Sequence, residues 1–141
     1  MSKADEIIKV CEEKFDANQD DCNQFVKAVA SAFGITVTDN ADAITDEIQG
    51  AGWTRLADGV AAAESAAAGN LVIGGLKGAD LASPEAHGHV VVVVRGELNR
   101  GKYPSAYWGR LGGGGRKNAT INWSWKATDR DKVKYGAKAI P

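Results

Sequence analysis

The feature that most constrains this 141-residue sequence is an unbroken run of five valines, residues 90–94, directly after His89. A strand with one solvated face alternates apolar and polar residues, whereas a strand buried on both faces is apolar throughout. The run therefore predicts a central strand, covered on both sides, in a β-sheet.

Three further segments are rich in β-branched and aromatic residues and are bounded by Gly, Pro and Asn. They are "LVIGGL" (71–76), "SAYWGRL" (105–111) and "ATINWSW" (119–125). Together with the valine segment, "HVVVVVRGEL", they predict an antiparallel meander in the second half of the chain.

The first half of the chain has helical periodicity instead. Helices are predicted over 3–15, from Cys22 to a stop at Gly34, over 41–49 with a cap at Asp39 or Asn40, and over "DGVAAAESAAAGN" up to Gly69. A last helix is predicted from Thr128 through "DRDKVKYG". Helices followed by an antiparallel sheet make an α+β arrangement, and 1–141 is expected to form a single domain.

Composition excludes several classes of protein. Seventeen basic and eighteen acidic residues give a formal net charge of -1, which lacks the basic footprint of a nucleic-acid binder. No apolar run reaches the roughly 20 residues of a membrane helix, so no membrane insertion is expected. The N-terminus, "MSKADEIIKV", lacks the pattern of a signal peptide. We expect a monomer that, if it acts outside its cell, leaves by a route that needs no cleavable signal.

The two cysteines have different predicted environments. Cys11 falls on the buried stripe of the first helix, where a thiol behaves as a small hydrophobe. Cys22 opens the second helix, where the helix dipole and unpaired amides favour a thiolate. Two cysteines are too few for a disulfide scaffold.

Two histidines flank the start of the valine strand and could serve Cys22 as a base. His89 directly precedes the run, and His87 lies two residues earlier on the same face. A histidine there could take the thiol proton and return it to a leaving amine, as in a cysteine hydrolase. Blander readings stay open: Cys22 as a packed thiol, the histidines as a strand-edge pair, or the three residues as zinc ligands.

Four blocks, in this order along the chain, resemble one protein family. They are "DCNQFVKAVASAFG", "RLADGVAAAESAAAGNLVIGGLKG", "GHVVVVVRGELNRGKYP" and "TDRDKVKY". They are similar to the first family of type VI secretion amidase effectors, which are antibacterial toxins of the NlpC-like branch of the papain fold. The resemblance runs through most of the chain and implies an NlpC-like papain fold, with N-terminal helices packed on an antiparallel sheet.

The resemblance implies a cysteine amidase that cuts the peptide stem of peptidoglycan between γ-D-glutamate and meso-diaminopimelate. The nucleophile matches Cys22, and the base matches His89 rather than His87. Amide acyl transfer of this kind needs no cofactor and no metal. Delivery by a type VI secretion system, action in the periplasm of a rival cell and a cognate periplasmic immunity protein are implied as well.

The resemblance leaves open what orients His89. NlpC-like enzymes usually supply a third polar residue, and the corresponding segment here contains no His, Asn or Gln; Ser105, Tyr107, Trp108 or a backbone carbonyl could serve. That gap keeps an alternative alive, an inactive NlpC-like wall-binding or interaction domain. Asp20 and Asp21 are candidates for holding a cationic amine of the substrate, or they only solvate a turn. Asn23 is a candidate for the substrate groove, or an ordinary first-turn residue.

Overall fold

A computed structural model describes every residue, Met1–Pro141. Its four α-helices are α1 (Lys3–Asn18), α2 (Cys22–Ala32), α3 (Ala41–Glu47) and α4 (Gly59–Ala67). Its six strands are β1 (Thr54–Leu56), β2 (Asn70–Leu76), β3 (His89–Val93), β4 (Ser105–Trp108), β5 (Arg116–Thr120) and β6 (Lys134–Ala139). Short 3₁₀ turns lie at Gly78–Asp80, Ile121–Trp123 and Arg130–Lys132. The predicted α+β class is confirmed.

All six strands belong to one antiparallel sheet with the order β1-β6-β2-β3-β4-β5. The four neighbours β2 to β5 form the predicted meander. The chain then returns across the sheet, and β6 inserts between β1 and β2.

The valine strand divides the core into two clusters, one on each face of the sheet. Every residue of β3 is buried, which confirms the prediction of a strand covered on both sides. Because side chains alternate along a strand, Val90 and Val92 join the cluster beneath α1, α2 and α3. Val91 and Val93 join the cluster that includes α4 and the tryptophans Trp108 and Trp125.

Side-chain caps set the helix starts. Ser2, Asp21, Asn40 and Asp58 each precede a helix and accept a hydrogen bond from a backbone N–H of its first turn. Such caps satisfy donors that have no partner inside the helix. All four predicted N-terminal helices are present, and Cys11 lies fully buried on the inner face of α1, as expected.

The predicted final helix is wrong. Only the 3₁₀ turn Arg130–Lys132 forms there, and the chain continues as β6. In β6 the buried side chains of Tyr135 and Ala137 lie on one face, while backbone hydrogen bonds run to strands on both sides. Pairing with two distant strands therefore outweighs a local sequence that is equally compatible with a helix.

Two smaller differences concern strand bounds. The segment predicted as a strand at 119–125 is a strand only at its start, because the chain turns into a 3₁₀ helix at Ile121–Trp123. The three-residue strand Thr54–Leu56 has no sequence signal and exists by pairing with β6. None of the helices combines the length and the apolar character that crossing a bilayer would require.

Candidate active site

The start of α2 is built around the turn that carries Cys22. Asp21 is the N-cap, and its Oδ1 accepts hydrogen bonds from the backbone N–H groups of Asn23 (3.1 Å) and Gln24 (3.4 Å). Cys22 is consequently the first helical residue, and its thiol is free and only partly buried. A residue at this position lies at the positive end of the helix dipole.

His89, the first residue of β3, is buried, and its imidazole packs against two indole rings. The ring centroid of Trp125 lies 5.0 Å from that of His89, and that of Trp108 lies 6.5 Å away, both with edge-on geometry. Nε2 of His89 is buried and has no hydrogen-bond partner. His87, by contrast, is exposed in the loop before β3.

Helix α2 and strand β3 meet near the Cys22 thiol. Helix α2 packs against β3. The backbone amide of Val90, the residue after His89, acts on the Cys22 thiol and lowers its pKa. The structure therefore brings the start of α2, with Cys22, to the strand that begins at His89, whereas His87 lies in the exposed loop before that strand.

Burial is the largest influence on the Cys22 pKa and raises it, and the charge of Asp21 raises it further. The Val90 amide, the charge of Arg110 and the Asn23 amide act in the opposite direction. The net effect is a raised pKa, so desolvation outweighs the helix N-terminus that the sequence suggested would favour a thiolate.

The pKa of His89 is well below its usual value, first because the ring is buried and second because Arg110 is cationic. The Cys22 thiol and the His89 imidazole are therefore both neutral at neutral pH. A neutral imidazole can accept a proton, so the arrangement suits general-base activation of the thiol as it attacks.

The side chains considered for orienting His89 are engaged elsewhere. Ser105 Oγ donates to a backbone carbonyl of the preceding loop (2.9 Å), and the Tyr107 hydroxyl donates to Glu12 Oε2 (2.5 Å). Trp108 contacts the imidazole through its ring, and its own Nε1 is buried without a partner. Packing between indole rings, in place of a third polar residue, surrounds the His89 ring.

The other candidate residues lie around the same turn. Asn23 Nδ2 donates to the backbone carbonyl of Asp39 (2.9 Å), and its Oδ1 accepts from the Gln24 N–H (3.0 Å). Asp21 uses one carboxylate oxygen for the helix cap, and Asp20 is exposed beside it. These contacts give Asp21 and Asn23 local structural roles, whereas their contact with a substrate stays a prediction.

The sequence reasoning missed Arg110. This residue lies two positions past the end of β4, and its charge acts on both Cys22 and His89. The available signal was its place near the end of the segment predicted as a strand over 105–111, which follows the histidine strand in the predicted meander. No three His, Cys, Asp or Glu side chains converge into a set that could hold a metal ion.

Comparison with known proteins gives one strong similarity. No family model matches the chain. Peptidoglycan amidase Tse1 of Pseudomonas aeruginosa is 37% identical to it over 140 residues, which covers 92% of this chain and 86% of the relative. Such identity across nearly the whole length of both proteins indicates a common fold and a common ancestor.

Proposed function

Because this chain belongs to the family of type VI secretion amidase effectors that includes peptidoglycan amidase Tse1, we propose that it is an antibacterial cysteine amidase acting on the peptide stem of peptidoglycan. One structural observation supports the cysteine chemistry. Helix α2, which begins at Cys22, packs against β3, which begins at His89, and the amide of Val90, the residue after His89, lowers the pKa of the Cys22 thiol.

In the proposed reaction, His89 takes the Cys22 proton as Sγ attacks the γ-carbonyl of D-glutamate. Backbone amides near Cys22 bind the oxyanion of the tetrahedral intermediate. The C–N bond to meso-diaminopimelate then breaks, and His89 donates the proton to the departing amine. Water, deprotonated by His89, hydrolyses the resulting thioester and restores the thiol. No cofactor enters these steps.

The residues around the turn complete the proposed site. Asp21 and Asn23 flank the nucleophile, so both are near any substrate that reaches Cys22. The Asp21 carboxylate belongs to the residue before Cys22. We propose that it binds the cationic amine of the stem peptide or of diaminopimelate. We propose that Asn23 lines the substrate groove at Cys22.

The proposal extends to the biological setting, and membership of the family supports it. The protein is a single NlpC-like papain-fold domain over 1–141, delivered as a monomer by a type VI secretion system into the periplasm of rival cells. A producer must protect its own wall, so a cognate periplasmic immunity protein blocks the groove at Cys22. Co-purification of the two proteins tests this partner, and a mixture that separates on size exclusion argues against it.

Mass spectrometry of products from a purified disaccharide tetrapeptide tests the reaction. The wild-type protein should release a dipeptide that begins with diaminopimelate, and Cys22→Ala should lower the rate by at least about 10³-fold. Cys11→Ala is the matched control, because it removes the other thiol and should keep the activity. Intact substrate after incubation with the wild type contradicts the proposal.

One observation favours a second candidate, an inactive NlpC-like module that binds the wall or a partner. His89 Nε2 has no hydrogen-bond partner, so the imidazole lacks the polar residue that usually orients it in this fold. Such a module would sediment with insoluble peptidoglycan and release no soluble fragment, and Cys22→Ala would sediment equally well.

A further inference from the structure

The backbone of Arg110 lies next to the turn that leads into α2 and Cys22. Its backbone N–H donates to the carbonyl of Gln19 (2.9 Å). The preceding residue, Gly109, packs so closely on this turn that a Cβ there would overlap the carbonyl oxygens of Asn18 and Asp21. The end of β4 is therefore held against the segment that leads into α2.

The Arg110 guanidinium has only neutral partners. Its Nη2 donates to the carbonyl oxygen (2.5 Å) and to Oγ (3.1 Å) of Ser124. None of the ion pairs in the protein includes Arg110. A guanidinium carries five N–H donors, so most of its donors are free.

The same cation acts on both residues of the proposed dyad. It lowers the pKa of the Cys22 thiol and the pKa of His89. Partial burial lowers the pKa of Arg110 itself, while the charges of Cys22 and Glu85 raise it. Arg110 is thus a partly desolvated cation that forms no ion pair with a carboxylate. A substrate that carries an anionic group could supply the missing charged partner.

We propose that Arg110 binds the free α-carboxylate of the D-glutamate whose γ-carbonyl Cys22 attacks, and that it thereby selects stems in which this carboxyl is not amidated. The assignment rests on the proposed function. In that substrate the α-carboxylate belongs to the residue under attack, so a cation near Cys22 is in the right region to bind it. A guanidinium matches the two oxygens of a carboxylate, and loses that match when one oxygen is replaced by an amide nitrogen.

Two stem peptides that differ only at this group test the proposal, one with D-glutamate and one with its α-amide. We expect the wild type to favour the free acid about 10- to 100-fold in kcat/KM, mainly through KM. Arg110→Gln should lower kcat/KM on the free acid by a similar factor and change it less than about threefold on the amide. The preference should therefore disappear.

Two further variants separate substrate binding from other roles of Arg110. Arg110→Lys keeps the charge but loses the planar fork, so it should retain only part of the preference. Arg116→Gln is the matched control, because Arg116 lies over the exposed Trp123 ring (4.6 Å from its centroid), and it should keep the full preference. Thermal unfolding of each variant identifies any loss of activity that comes from misfolding.

Several outcomes overturn the proposal. Equal cleavage of the two substrates by the wild type removes the selectivity, although the amidase activity would stand. Equal losses on both substrates in a folded Arg110→Gln, with the acid limb of the pH–rate profile moved, would make Arg110 a residue that only tunes Cys22 and His89. If the wild type cleaves neither peptide while Cys22→Ala is identical to it, the proposed function itself fails.

Discussion

Cys11 and Cys22 both contact the core cluster beneath α1, α2 and α3, yet their surroundings differ in one respect. Burial raises the pKa of each thiol. Around Cys11 the only other influence is the charge of Glu12, which raises its pKa further. Around Cys22, two backbone amides and one cation oppose burial. The ability of a thiol here to become an anion thus depends on donors from a helix start and a neighbouring strand.

The largest expected effect comes from removing the proposed base of Cys22. His89→Gln should lower kcat/KM by about 10³-fold, because a general base contributes 10²- to 10⁴-fold. His87→Gln is the matched control, since His87 is exposed before β3, and it should change kcat/KM less than about twofold. A folded His89→Gln protein with more than a tenth of the wild-type activity would exclude His89 as the base.

Alkylation compares the two thiols directly. In the native protein iodoacetamide should modify Cys22 at least about 100-fold faster than Cys11, because Cys11 reacts only after the core opens. Peptide mass spectrometry over a time course measures both rates in one sample. In concentrated urea the two rates should converge, and similar rates under native conditions would show that Cys22 is as inaccessible as Cys11.

Substitution of Cys11 should lower the stability of the protein more than substitution of Cys22, the reverse of their order in alkylation. Cys11→Ser places a hydroxyl in an apolar core and should lower the free energy of unfolding by about 1–3 kcal/mol. Cys22→Ser, at a partly exposed first turn, should lower it by less than about 1 kcal/mol. Urea denaturation of the two variants measures the difference. A larger loss for Cys22→Ser would mean that its thiol serves packing first.

The smallest effect concerns pH. The pKa of His89 lies well below 6.5, so His89 stays neutral and able to accept a proton until the pH falls below that lowered value. The acid limb of kcat/KM, which reports the free enzyme, should therefore lie below pH 6.5. At pH 6 the wild type should keep more than about half of its activity at pH 7, whereas a base with the ordinary pKa would keep about a third. An acid limb at or above pH 6.5 contradicts this.

Local patterns were enough for the parts of the fold that local interactions determine. The capped start of α2 at Cys22, the stop at Gly34 and the fully buried valine strand were all predictable, because each depends on residues adjacent in sequence. β6 was not predictable, because its identity as a strand comes from pairing with β1 and β2. "DRDKVKYG" carries no local signal that separates the two outcomes.

The same division applies to the site. Their positions at the start of a helix and of a strand made Cys22 and His89 candidates, and the family resemblance favoured His89 over His87. The direction of their pKa shifts was not predictable, because burial depends on how Trp108, Trp125 and the sheet close around them. Arg110 was missed for the same reason: its proximity to Cys22 requires the end of β4 to pack on the turn before α2.

The position of β6 also has a consequence for folding kinetics. β6 is synthesised after the other five strands of the sheet, yet it lies between β1 and β2, and β2 is the neighbour of the histidine strand. Until β6 arrives, one edge of β2 has unpaired backbone groups and the nascent chain has no complete sheet. Such long-range pairing slows folding and delays the assembly of the helix–strand junction at Cys22. A ribosome-bound chain that lacks residues 134–139 should therefore be inactive, so a producing cell would meet the folded toxin only after synthesis has passed this strand.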